Sequence, residues 1–277
     1  MGIQWYPGHM NKARRELASA MPSIDAVIEV LDARLPHSSE NPLIASIRKD
    51  KPCLRILNKS DLADPAVTSL WLSKMASEAG MAAVALSMKQ PGGAKAIPAL
   101  CKKLAPHRGT VLKPLRILIA GIPNVGKSTL INALSGKKAA KVADEAAVTK
   151  MQQQFEIEKG VLLIDTPGIT WPKFENEICG YNLAATGAIG KNAMDPVEVA
   201  KFAASYVLLN YPDLLRERYG LATLPQEGTE LVEQIGRRRG CLKPGGSVDM
   251  EKAAGIFLTE LRSGKIGRIS LEKPEST

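Results

Sequence analysis

The chain has 277 residues, 45% of them hydrophobic, and carries 37 Lys and Arg against 28 Asp and Glu, a net charge of +9. That length and apolar content exclude a disordered or fibrous chain and favour about two folded domains, and the charge predicts a polyanionic partner such as nucleic acid. The excess is uneven: residues 176–277 hold 13 basic and 13 acidic side chains, so the 24 against 15 in residues 1–175 account for it.

Along the chain, the start NKARRELASAM (11–21) is amphipathic, with Lys12, Arg14 and Arg15 on its polar side. Short apolar, β-branched runs follow, each ending in a polar loop: AVIEVLDAR (26–34), PCLRILNKSD (52–61), AAVALSMK (82–89), LRILIAGIPN (115–124) and GVLLIDTPG (160–168). Helical patterns at TSLWLSKMASEAG (68–80) and KSTLINALSG (127–136) alternate with them, which is the signature of an α/β domain with a mostly parallel sheet covered by helices. KKLAPHRGTVLKP (102–114), with Pro, Gly and Lys, is a connector between two such groups. After WPKF (171–174) the strand-like runs stop, and DPVEVAKFAASYVLLNY (195–211), TELVEQIG (229–236) and MEKAAGIFLTELRSG (250–264) have helical spacing. The expected division is therefore an α/β domain over 1–175 and a small all-α domain over 176–277.

Cys53, Cys101, Cys179 and Cys241 are scattered without a C-x-x-C pair, so neither a disulfide framework nor a zinc site is indicated. MGIQWYPGHMNKARRE lacks the apolar stretch of a signal peptide, and no apolar run approaches the ~18 residues of a membrane span. A cytoplasmic protein with no membrane partner is expected.

Three loops carry chemistry. GIPNVGKST (121–129) follows a strand and opens a helix, the context in which G-x-x-x-x-G-K-[ST] wraps phosphates with backbone N–H groups and a helix N-terminus. Asn124, Val125, Gly126, Lys127, Ser128 and Thr129 form this loop; Lys127 is placed to bridge the β- and γ-phosphates and Ser128 to hold Mg²⁺. IDTPG (164–168) ends another strand, where Asp165 can reach Mg²⁺ and the Gly168 amide can meet the γ-phosphate. NKSD (58–61) closes a third. Asp61 can accept from guanine N1–H and the 2-amino group, donors that adenine lacks, while Asn58 and Lys59 would brace the loop and cover the base, with Ser60 counted among the nucleotide-binding residues. Ser87 and the backbone at Met88, ending the next strand, can face guanine O6.

The base motif precedes the phosphate loop, the reverse of the order in ordinary GTP-binding switch proteins. In an open parallel sheet every such loop emerges at the carboxyl edge, so the site depends on strand positions in space and not on chain order. The order predicts a circularly permuted P-loop GTPase domain, with 102–114 as the new join.

That order resembles the circularly permuted GTPases, and within them the ribosome biogenesis GTPase A family, also called YlqF. The likeness extends over IQWYPGHMNKARRE, LDARLPHSSENP, NKSDL, GIPNVGKSTLIN, VTKMQQ, IDTPGI, RRRGCLKPGGSVDMEKAA and RSGKIGR. It implies a GTP hydrolase using GTP, Mg²⁺ and K⁺, bound to a large ribosomal subunit precursor and its rRNA, with no DNA partner. Ile169 stands where Ras-like enzymes place the water-orienting Gln. The resemblance moves that task to His9, although a lone His is more often structural or exposed. It also makes Thr149 the switch residue that contacts Mg²⁺, catalytic beside His9 and Lys127, and Asn124 a K⁺ ligand. Before Val148–Thr149 this chain has Glu145, Ala146 and Ala147 where relatives commonly carry Pro-Gly. Arg237, Arg238, Arg239, Lys265 and Arg268 are its implied RNA contacts. Two further readings stay open: a GTP-gated RNA-binding switch with negligible hydrolysis, and a permuted GTPase of another pathway.

Overall fold

The computed structural model of the protein describes residues 7–90, 92–136, 153–166, 176–190 and 194–275, with side chains of the first helix from Arg14 onward. Thr149, Gly168 and Ile169 lie outside the described residues, as does the side chain of His9.

Helix α1 (Pro7–Ala20) precedes β1 (Ala26–Asp32), two short helices α2 (Pro36–Ser39) and α3 (Pro42–Arg48), β2 (Cys53–Asn58), α4 (Pro65–Ala76), β3 (Met81–Ala85), α5 (Ile97–Leu104), β4 (Leu115–Ala120) and α6 (Lys127–Ser135). A hairpin of β5 (Gln153–Glu158) and β6 (Val161–Asp165) completes the sheet, and α7 (Glu177–Thr186), α8 (Pro196–Asn210), α9 (Pro212–Tyr219), α10 (Gly228–Arg238) and α11 (Met250–Ser263) follow. The six strands run in the order β3-β2-β1-β4-β6-β5. All pairs are parallel except β5 with β6. The expected mostly parallel sheet with helices is thus present, and β4, bearing the phosphate loop, sits beside β1 at its centre.

Burial on both faces explains the near-continuous apolar strands. On one face Val27, Cys53, Leu118 and Ile164 meet Leu17 and Met21 at the end of α1 and its following turn, and Ile44 of α3. Farther along that face Leu31 and Leu57 meet Val67, Trp71 and Met75 of α4. On the other, Ile28, Ile56, Ile117 and Leu163 join Ile97 and Cys101 of α5, Leu130 of α6, and a run of side chains from α7 to α11. Sheet and C-terminal helices therefore share one core. At ~25 cal/mol per Å², this burial is the main favourable contribution to folding.

Two details differ from the sequence reading. The connector 102–114 begins inside α5, which extends to Leu104, because Ile97 and Cys101 are fully buried one helical turn apart. The chain then crosses from β3 to β4 through residues 105–114, where Leu115 N donates to Gly160 O at 2.8 Å. Strand β5 carries no apolar run: QQFEIE lies at the sheet edge with one side open, and β6 supplies its hydrogen bonds through a two-residue turn at Lys159–Gly160.

Candidate nucleotide site

The carboxyl ends of β1, β2, β3, β4 and β6 open on one edge of the sheet, and the expected loops meet there. Gly121 leaves β4 against β1; a Cβ on it would lie 2.7 Å from Val30 O, so only glycine lets the loop start so close to the neighbouring strand. Asn124 adopts φ 62 and Gly126 φ 100 before α6 begins at Lys127. This left-handed path turns the chain into the helix N-terminus, where free N–H groups attract an anion. Ser128 and Thr129 are exposed on the first turn.

The base loop is stitched to the phosphate loop. Asn58, buried at the end of β2, donates from Nδ2 to Val125 O at 2.7 Å. Lys59, with φ 60, reaches across to Asp32 at the end of β1, Nζ to Oδ2 at 2.9 Å. Asp32 is fully buried and also takes Arg34 in a fork, Nε to Oδ1 at 2.9 Å and Nη2 to Oδ2 at 2.7 Å. Burial works to raise the Asp32 carboxyl, but the Arg34 guanidinium and Lys59 ammonium outweigh it and hold it well below the usual carboxylate range. Only three non-glycine residues have positive φ among the described residues, and two of them, Lys59 and Asn124, lie in these loops.

Asp61 is poised between two donors. Ser87 Oγ donates to Oδ1 at 2.7 Å and Lys89 Nζ lies 2.8 Å from Oδ2. Desolvation pushes this carboxyl up, and the Lys89 and Ser87 hydrogen bonds more than offset it, so its pKa is lowered. It stays ionised, able to accept from further N–H donors. Ser60 N donates to Leu86 O at 2.9 Å, tying the base loop to the chain that delivers Ser87 and Met88.

Lys127 and Asp165 form the phosphate end, with Nζ 2.7 Å from Oδ1 and a second hydrogen bond from Nζ to Thr166 O. A cation and a carboxylate in contact beside a helix N-terminus fit a nucleotide carrying Mg²⁺: the ammonium would meet phosphate oxygens and the carboxylate would hold the metal. Asn124 donates from Nδ2 to Gly187 O at 3.0 Å, in the turn after α7, which leaves its Oδ1 available as a cation ligand.

The structure thus brings Asn58, Lys59, Ser60, Asp61 and Ser87 together at one end of the edge, and Asn124 to Thr129 with Asp165 at the other. Sequence reasoning missed Asp32, Arg34 and Lys89; the one signal it had was LDAR, a charged D-x-R closing an apolar strand run just as NKSD closes the next. Among the implied RNA contacts, Arg268 is engaged internally, donating from Nε to Ala63 O at 2.9 Å and from Nη2 to Ser60 O at 2.8 Å. Arg237 pairs with Glu233 and Arg239 with Glu260, while Arg238 and Lys265 are exposed and make no ion pair among the described residues.

This fold and site define a P-loop GTPase whose strands are circularly permuted. Residues 116–202 match the family described as 50S ribosome-binding GTPase. The chain is 45% identical to ribosome biogenesis GTPase A of Bacillus cereus over 99% of its length and 95% of that protein. Among solved structures, GNP-bound YlqF from T. maritima covers 96% of this chain and all of its own, at 31% identity and TM-score 0.67. The GDP-bound YlqF structure gives 29% and 0.69 over 95% of this chain. The chain belongs to the ribosome biogenesis GTPase A family.

Proposed function

We propose that the protein hydrolyses GTP as an assembly factor of the large ribosomal subunit, binding a precursor particle in the GTP state and leaving it after hydrolysis. The observation that carries this reading is the Asn58–Val125 hydrogen bond, which ties base loop and phosphate loop into one cradle in a chain whose relatives are named for ribosome biogenesis. In that cradle Asp61 reads guanine, Ser87 and the backbone at Met88 face O6, and Lys127 engages the β- and γ-phosphates. Ser128 and Asp165, with Thr149, would hold Mg²⁺, whose charge neutralises the phosphate oxygens. Oδ1 of Asn124 would contribute to a K⁺ site beside them. His9, near the start of α1, is assigned to the attacking water because Ile169 can neither donate nor accept.

The γ-phosphate orders Thr149 and the Gly168 loop, and the chain runs from that loop into the helices, so nucleotide state biases their placement. Co-sedimentation with purified large subunits, small subunits and tRNA tests the reading. Preferential retention on large subunits with a non-hydrolysable GTP analogue is expected; equal retention on all three, or with GDP, overturns it.

A further inference from the structure

The loop that reads the base is held from outside by the end of the chain. After α11 the backbone turns at Gly264, φ 74, where a Cβ would lie 2.8 Å from Leu62 Cδ2, and runs back over the GTPase half. Ile269 N donates to Leu62 O at 2.9 Å and Leu271 N to Arg34 O at 2.7 Å. Asp64 N donates to Ser270 Oγ at 3.2 Å, and Ser270 N to the Tyr211 hydroxyl at 3.2 Å, which in turn donates to Asp64 Oδ2 at 3.2 Å. Arg268 lies between these anchors and spans the loop, its Nη2 on Ser60 O and its Nε on Ala63 O. Asp61 sits inside the span. Both carbonyls that flank it at close range, Ser60 and Leu62, accept from the C-terminal segment.

We propose that Arg268 is a positioning residue for guanine recognition, locking the 60–63 loop so that the Asp61 carboxylate is presented to the base in one geometry. This rests on the reading of Asp61 as the guanine acceptor. A guanidinium suits the role because its fork satisfies two carbonyls at fixed separation, which a lysine ammonium on a flexible stem does less well. The arrangement links the helical half to the base: whatever pulls residues 264–272 away loosens the nucleotide, and the nucleotide in turn tightens that segment.

The test uses GDP and inosine diphosphate, which differ only in the 2-amino group from which Asp61 would accept a hydrogen bond. Calorimetry on the full chain should show the wild type preferring GDP. Arg268→Ala should lower that preference roughly tenfold, and Arg268→Lys should fall between the two. A substitution that merely destabilises the fold would weaken both ligands together and leave the ratio unchanged, so an unchanged ratio overturns the proposal. A wild type indifferent to the two nucleotides instead removes the Asp61 reading itself. Should neither variant fold, amide exchange on the wild type decides: GDP should slow exchange at Ile269 and Leu271 more than inosine diphosphate does, and equal protection by both refutes the linkage.

Discussion

The side-chain amide of Asn58, at the end of β2, donates to the carbonyl of Val125 in the phosphate loop at 2.7 Å, across 67 residues of chain. Permutation has reversed the order of these two loops in the chain and kept their contact. Strands β2 and β4 are separated by β1, so the hydrogen bond reaches over one strand and needs both loops at the carboxyl edge. Its geometry depends on Gly126, where a Cβ would stand 2.2 Å from Asn58 Nδ2.

Gly126→Ala should therefore disable the cradle without unfolding the sheet. The new methyl collides with a buried amide, and alanine resists a φ of 100, a region that costs L-residues on the order of 1–2 kcal/mol even before the clash. GTP and GDP affinity should fall by ~10²-fold or more while the thermal midpoint without nucleotide shifts little. Normal affinity by calorimetry would show that the loop reshapes on binding.

Asp61→Asn exchanges an acceptor for a donor opposite guanine N1–H. Affinity for GTP should drop by on the order of 1–3 kcal/mol, and xanthosine triphosphate, which presents a carbonyl in place of the 2-amino group, should gain relative to it. The lost contact with Lys89, which is 72% exposed, should matter little to stability. Competition between the two triphosphates measures the switch; retained preference for GTP would reduce NKSD to a turn.

Strands buried on both faces and the loops at their ends were legible because burial leaves an apolar run and phosphate binding demands glycine, lysine and hydroxyl at set spacing. Strand β5 was not, since an edge strand with alternating exposure is polar enough to pass for a loop. Helix α7 also escaped notice: it is apolar around much of its circumference and buries Asn182 and Thr186, so it shows no amphipathic stripe. Arg268 looked like part of a basic cluster because a charge in sequence says nothing of which carbonyls it will meet after 205 and 208 residues of intervening fold. Lys59 and Asp61 were readable from their motif, whereas their partners come from elsewhere, Asp32 from β1 and Lys89 from the turn after β3.

A buried charge cluster makes stability depend on pH. Glu29 of β1 pairs in register with Arg55 of β2, and Arg55 also engages Glu40 and Glu78. Burial first, then repulsion from Glu40, raises the Glu29 carboxyl from 4.5 to about 7, against the pull of Arg55 and Arg48 and the hydrogen bond from Asn41 N. The folded state thus binds this proton more tightly than the unfolded chain. Stability from the protonated form is fully present below about 4.5 and is lost as pH rises through about 7. Glu29→Gln should gain on the wild type across that window, by at most on the order of 3 kcal/mol, and hold the difference above it. Denaturant midpoints at a series of pH values give the comparison; a gap that does not change with pH refutes the assignment.

Asn124 predicts a choice between monovalent ions. With Nδ2 committed to Gly187 O, Oδ1 is the atom left to serve the proposed K⁺ site. A cation there would offset charge developing on the transferred phosphoryl group, so turnover should be higher in KCl than in NaCl at equal ionic strength. Asn124→Ala should erase the difference. Equal rates for the wild type in both salts refute the site.

The three consecutive arginines at the end of α10 are not equivalent, and their differences predict how the protein meets a ribosomal particle. Arg237 is held by Glu233 one turn back, Nη2 to Oε1 at 2.7 Å. Arg239 leans over the Tyr219 ring and pairs with Glu260, which also accepts both arms of Arg218 at 2.8 Å. Arg238 is exposed and makes no ion pair among the described residues, so under the proposed RNA reading its charge is the one of the three free to replace a counterion. Arg238→Ala should weaken binding to large subunits and reduce the slope of log K against log salt by ~1, with no loss of thermal stability. Arg239→Ala should do the opposite, lowering the thermal midpoint because Glu260 and Tyr219 lose a partner, while changing the salt slope less. Sedimentation across a KCl series, with melting curves for the same variants, separates the two. Equal slopes for Arg238→Ala and wild type would place the RNA-facing charge elsewhere, and the excess of basic residues in 1–175 makes that half of the chain the next to search.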